Sequence, residues 1–213
     1  MSEFICFMVA LFTLIKVKEF HWKGMIFLTL IICVTEFAGI YVEFSIPGQI
    51  TQNAWLYNIL LLFQAGFISF MFYHLLKLYM QILPVIIAEF VLLSGLYIYE
   101  TCDHSMLSYH QLTNTVMLVI IILYSLLYYY FLITDNRYVN LVHHADFWWV
   151  TGILFFYFGT TACNIFYHHL APNASSYIKH LTYHIYNAFN VVLYGCWSYS
   201  FICKRWETKT LPG

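Results

Sequence analysis

Charge is what this chain has least of. Only 9% of its 213 residues are Asp, Glu, Lys or Arg, and the nine basic residues nearly cancel the ten acidic ones, for a formal net charge of -1. That balance leaves no basic patch for a nucleic acid, and the composition lies outside the range of soluble globular domains. Proline is scarce too, at four residues. No internal repeat and no second domain is visible, so residues 1–213 read as one domain. Of the six cysteines, Cys6, Cys33, Cys163, Cys196 and Cys203 sit in or beside apolar runs, and only Cys102 falls in a polar stretch. That placement argues against a disulfide framework.

What is abundant is apolar and aromatic side chain, 62% and 21% of the residues. It comes in runs near the length of a bilayer crossing, which predicts an all-α integral membrane protein. The runs are 4–15, 25–42, 55–76, 82–98, 113–132, 147–167 and 181–203. They predict a bundle of seven transmembrane helices. The first run is short for a span of about 20 residues. It lacks the basic start and the small-residue cleavage site of a signal peptide, so it is expected to remain as the first helix. Pro47 and Gly48 mark a turn after the second run, and the tyrosines 128–130 form an aromatic belt at the end of the fifth.

The basic residues orient the bundle. With the N-terminus outside, Lys16, Lys18, Lys23, Lys77, Arg137, Lys204, Arg205 and Lys209 fall on one side of the membrane and Lys179 alone on the other. The rule that cytoplasmic loops collect Lys and Arg then puts the C-terminus in the cytoplasm. The chain is expected in a cell inner membrane as a multi-pass protein in contact with the lipid bilayer.

Polar residues inside the runs locate a candidate site. On the sixth run Thr161, Asn164 and His168 share a helical face, and on the seventh so do His180, His184 and Asn187. Polar stripes on lipid-compatible helices turn inward, toward other helices or a wet cavity. Counting about 1.5 Å per residue puts Asn58, Asn164 and His184 roughly 5–6 Å below the outer boundary, and Asn187, Glu36 and Gln64 roughly 10–15 Å below it. These residues predict a ligand-binding layer of Glu36, Asn58, Gln64, Thr161, Asn164, His184 and Asn187. A Glu36–His184 couple sharing a proton is expected at its core. Any one Asn, Thr or Gln here has an ordinary alternative role, a hydrogen bond to a neighbouring helix worth about 0.6 kcal/mol. Glu36 is harder to explain that way, because an intramembrane carboxylate costs roughly 2.5–3.5 kcal/mol. Glu89 carries the same cost and shows no obvious partner in the sequence.

The histidines add a metal hypothesis. His180 and His184 are four residues apart on one helix, and with His168 they could hold Zn or another transition metal. Solvated or interfacial histidines explain the same pattern. No HExxH glutamate lies between the pair, and His74 lies at the opposite membrane face, against the ligand pattern of seven-helix hydrolases. No lysine sits within the seventh run, as a retinal protein needs.

Several short stretches recur together in one known pattern: Thr35-Glu36, Leu56-Tyr57-Asn58, Phe72-Tyr73-His74, Phe147-Trp148-Trp149, Tyr157-Phe158-Gly159-Thr160 and His184-Ile185-Tyr186-Asn187. In their order, the chain resembles a seven-helix family of bacterial inner-membrane proteins often encoded near two-component histidine kinases. The resemblance implies a sensor or accessory signalling role with a cytoplasmic or membrane histidine kinase as partner. A small-molecule ligand in the outer-facing pocket is the expected stimulus. The alternative is a membrane-embedded enzyme or a small-molecule or ion transporter using the Glu36 and His184 layer, with or without a metal.

Overall fold

The computed structural model describes residues 2–45, 53–104, 106–135, 140–170 and 176–210, with side chains described at 2–42, 53–103, 106–135, 140–163 and 184–209. The described residues form seven α-helices and one 3-10 helix, with no strand among them. The helices are α1 (Ser2–Leu14), α2 (Phe20–Ser45), α3 (Ala54–Leu76), α4 (Leu83–His104), α5 (Gln111–Thr134), α6 (Ala145–Leu170) and α7 (Ser176–Thr210), with the 3-10 turn Leu141–His143 before α6. Four of them, over Phe20–Val42, Ala54–Leu76, Leu83–Asp103 and Gln111–Thr134, are long and apolar enough to cross a membrane. The first helix has 13 residues, about 20 Å at 1.5 Å per residue.

Several helices outrun their apolar runs. The chain is already helical at Phe20, through half of the basic stretch, and α4 carries on through Glu100 to His104. At the C-terminus α7 takes in Lys204–Thr210, expected as a tail. Backbone groups near a membrane need partners, and continuing the helix supplies them at once. Hydroxyls inside the helices are satisfied in the same way: Thr29, Ser125, Thr151, Thr160 and Ser198 each donate to the carbonyl four residues earlier.

Six helices close a ring. Their principal contacts run α1–α2, α2–α3, α3–α5, α5–α6, α6–α7 and α7–α1, and α4 lies outside against α3 and α5. Its position shows in burial: 28% of its apolar window is buried, against 50% for α3. The ring is filled by aromatic side chains that reach across it. Trp22 meets Phe201 edge-on at 6.3 Å, Phe72 meets Trp149 at 5.3 Å, and Trp149 stacks on Trp197 at 6.3 Å. Such pairs contribute about 0.5–1.5 kcal/mol each beyond their burial.

An ionic knot ties the basic end. Lys204 Nζ lies 2.8 Å from Glu19 Oε1 and 3.3 Å from Glu207 Oε2, above the Trp22 ring. Glu207 also accepts from the Ala145 N–H at 3.0 Å, at the first turn of α6, where a carboxylate complements the helix dipole. Arg205 donates to the Phe12 carbonyl at 3.0 Å, one of the last four carbonyls of α1 that have no partner within the helix. The short first helix is thereby capped by the last.

Orientation can be tested with the cysteines the fold exposes. Cys102 is exposed, whereas Cys203 is fully buried, so Cys203 resists a thiol reagent from either side and reports nothing. Lys209 is exposed on α7. With the N-terminus outside, an impermeant maleimide is expected to label Cys102 on intact cells, and to label Lys209→Cys only after the membrane is opened. The reverse pattern overturns the orientation.

Candidate functional site

Glu36 lies half-buried on α2 and lines a cavity of about 510 Å³ together with Glu3, Phe4, Cys33, Phe37 and Ile40. The cavity sits between the first turns of α1 and the second half of α2. Phe4, Phe37 and Ile40 are exposed, so it opens sideways from the ring rather than into its centre. Its walls are apolar and its polar groups are two carboxylates and a thiol. Glu3 lines the same cavity as Glu36. Antiparallel packing of α1 and α2 places residue 3 beside residue 36, a pairing visible only once α1 is known to fold back on α2.

The other predicted layer residues do not gather here. Asn58 is fully buried on α3 and donates through Nδ2 to the carbonyls of Met106 at 3.1 Å and Ser108 at 2.8 Å, while its Oδ1 accepts the His110 N–H at 3.0 Å. Both of its donors are used, and they hold the connection between α4 and α5. Gln64 is half-buried on α3 and Thr161 half-buried on α6, with the Thr161 hydroxyl lacking a hydrogen-bond partner among the described residues. His184 and Asn187 are exposed on α7. The side chains of Asn164, His168 and His180 lie outside the described residues. Among the described residues no group of three or more His, Cys, Asp or Glu is placed to hold a metal ion.

Two buried acids that the sequence reading left unplaced have full sets of partners. Glu100 accepts from the N–H groups of Leu112 and Thr113, both at 2.8 Å, and from the Thr113 hydroxyl at 2.6 Å. The residue before α5, His110, makes no side-chain cap bond, so a carboxylate from the preceding helix does that work. Glu89, 4% exposed, accepts from Ser69 Oγ at 2.6 Å and from the Tyr124 hydroxyl at 2.8 Å. It joins α4 to α3 and α5. Inserting its charge costs roughly 2.5–3.5 kcal/mol, and hydrogen bonds to a charged group return about 1.5–3 kcal/mol each. The two sums are close.

Comparison with protein-family models, curated proteins and solved structures finds no significant match. The site is therefore argued from its own chemistry.

Proposed function

We propose that the protein is a seven-span, multi-pass sensor or accessory signalling protein of a cell inner membrane, with its N-terminus outside. In this reading the pocket between α1 and α2 receives the stimulus, and a cytoplasmic or membrane partner such as a histidine kinase receives the output. The observation that carries it is Glu36 on the lining of a cavity whose walls are mostly apolar. The Glu36 carboxylate in a poorly solvated site favours a guest that brings a positive or proton-donating group. The walls favour an apolar body. Such a ligand is a small lipophilic amine or a molecule of similar chemistry.

Coupling follows from α1. Its outer half borders the pocket and its last turn is held by Arg205 of α7. A guest that parts α1 from α2 strains that contact and the neighbouring Lys204–Glu19–Glu207 knot, in which Glu19 stands between the two helices in sequence. The test uses a fluorescent lipophilic ammonium probe and the full chain in lipid nanodiscs. Glu36→Gln is expected to weaken probe binding about tenfold, the size of one lost charge contact of about 1.4 kcal/mol. His184→Asn, on exposed α7 surface, is expected to leave it unchanged. Equal binding by wild type and Glu36→Gln, with both inserted normally, removes the pocket from the proposal. A Glu36–His184 couple predicts instead that both variants weaken it alike.

A further inference from the structure

Glu89 stands apart from the pocket and from the ionic knot. It sits about 9 Å along α4 from Leu83, at 1.5 Å per residue, and is nearly inaccessible. From α3 the group that faces it is Ser69, and from α5 it is Tyr124, the titratable one. Among the described residues no cation pairs with it. A carboxylate within a membrane helix is ordinarily paired, protonated or functional.

We propose that Glu89 is an exchangeable proton-binding site whose occupancy sets how firmly α4 is held against the ring. Both carboxylate oxygens are used as acceptors, Oε1 by Ser69 and Oε2 by Tyr124. When hydronium gives its proton to one of these oxygens and leaves as water, a new O–H bond forms and that oxygen becomes a donor. The hydroxyl that donated to it must turn away or become an acceptor. Serine has the easier alternative, because in a helix its hydroxyl can donate to a carbonyl one turn earlier. The bond between α3 and α4 is then exchanged for one within α3. Since α4 lies outside the ring and has the smallest buried share of the four long apolar helices, losing this tie leaves it weakly held.

The energetics leave both states accessible. Burial opposes the charge, and the two short hydroxyl contacts support it to a similar extent. Either change in this local balance shifts the population. The mechanism makes no use of Glu3 or Glu36, so the two sites can fail separately.

The test uses the full chain reconstituted in lipid. Infrared difference spectra over a pH titration follow the C=O band of protonated carboxyl groups, and a spin label on exposed Cys102, at the outer end of α4, follows the helix. In wild type, acidification is expected to raise a buried carboxyl band and loosen the label with the same midpoint. In Glu89→Gln that component is lost, and the label stays in one state across the titration. Glu36→Gln retains both changes. Tyr124→Phe keeps the shape of the core and removes one donor, so it shifts the common midpoint and remains informative if Glu89→Gln fails to fold. Spectra and label mobility in Glu89→Gln that match wild type overturn the proposal. So does a midpoint unmoved by Tyr124→Phe.

Discussion

Asn58→Ala is expected to lower the unfolding free energy of the bundle by about 2–4 kcal/mol, through a loop it does not belong to. The side chain serves two carbonyls and one N–H of residues 106–110. Alanine leaves all three without that partner. A buried polar group without a partner costs about 1–3 kcal/mol. The bond from the His110 N–H is buried, whereas the two to Met106 and Ser108 are partly so, and water takes over some of that loss. The estimate therefore falls below the simple sum. Unfolding in mixed micelles measures it, with protease cutting near Met106 as an independent readout of the loosened connection. Gln64→Ala is the contrast: also a polar residue of α3, half-buried, it makes no hydrogen bond among the described residues, and a change within about 0.5 kcal/mol is expected. If the two variants are equally stable, the connection is held by Glu100 and α5 rather than by Asn58.

That contrast shows where the sequence was legible. Run length and hydropathy placed all seven helices, because a membrane leaves the backbone few other options. The same signal could not tell that α4 lies outside the ring. Lipid tails are as apolar as leucine, so a helix facing lipid and one facing its neighbours read alike. Charged residues continue two of the helices beyond their apolar runs. Glu100 and Lys204 are helical because each has a partner on another element, Leu112 and Thr113 for one and Glu19 for the other.

Spacing along one helix did identify polar faces, but not what they meet. Asn58 and Glu36 were singled out together, yet one closes a connection and the other lines a pocket. The partners that decide this lie far off in sequence: Glu3 for Glu36, His110 for Asn58, Tyr124 for Glu89. No local pattern encodes such pairings. A weak signal did exist for Glu89, since a carboxylate at that depth must find donors and Ser69 is among the few polar residues of the neighbouring helix.

The second large effect concerns the seam of α6 and α7, and its sign is the informative part. Gly152→Ala is expected to destabilise the bundle by about 1–2 kcal/mol, although alanine is the better helix former by about 1 kcal/mol. A Cβ on residue 152 would stand 2.8 Å from Cys196 Cβ and 3.2 Å from the Leu193 carbonyl oxygen. Carbon atoms in contact settle at about 3.5–4.0 Å. Neither obstacle is the free end of a side chain, so the helices themselves must part. Overpacking of this kind costs about 1–3 kcal/mol and more in tight cases, enough to outweigh the propensity gain. The displacement would also disturb the Trp149–Trp197 stack one turn away, visible as a change in tryptophan fluorescence. Gly95→Ala on α4 supplies the control, because nothing lies within 4 Å of its Cβ position. There the propensity term acts alone, and a stabilisation of up to about 1 kcal/mol is expected. Stabilisation by both substitutions would mean that α6 and α7 are not packed through Gly152, and the closed ring would have to be redrawn at that seam.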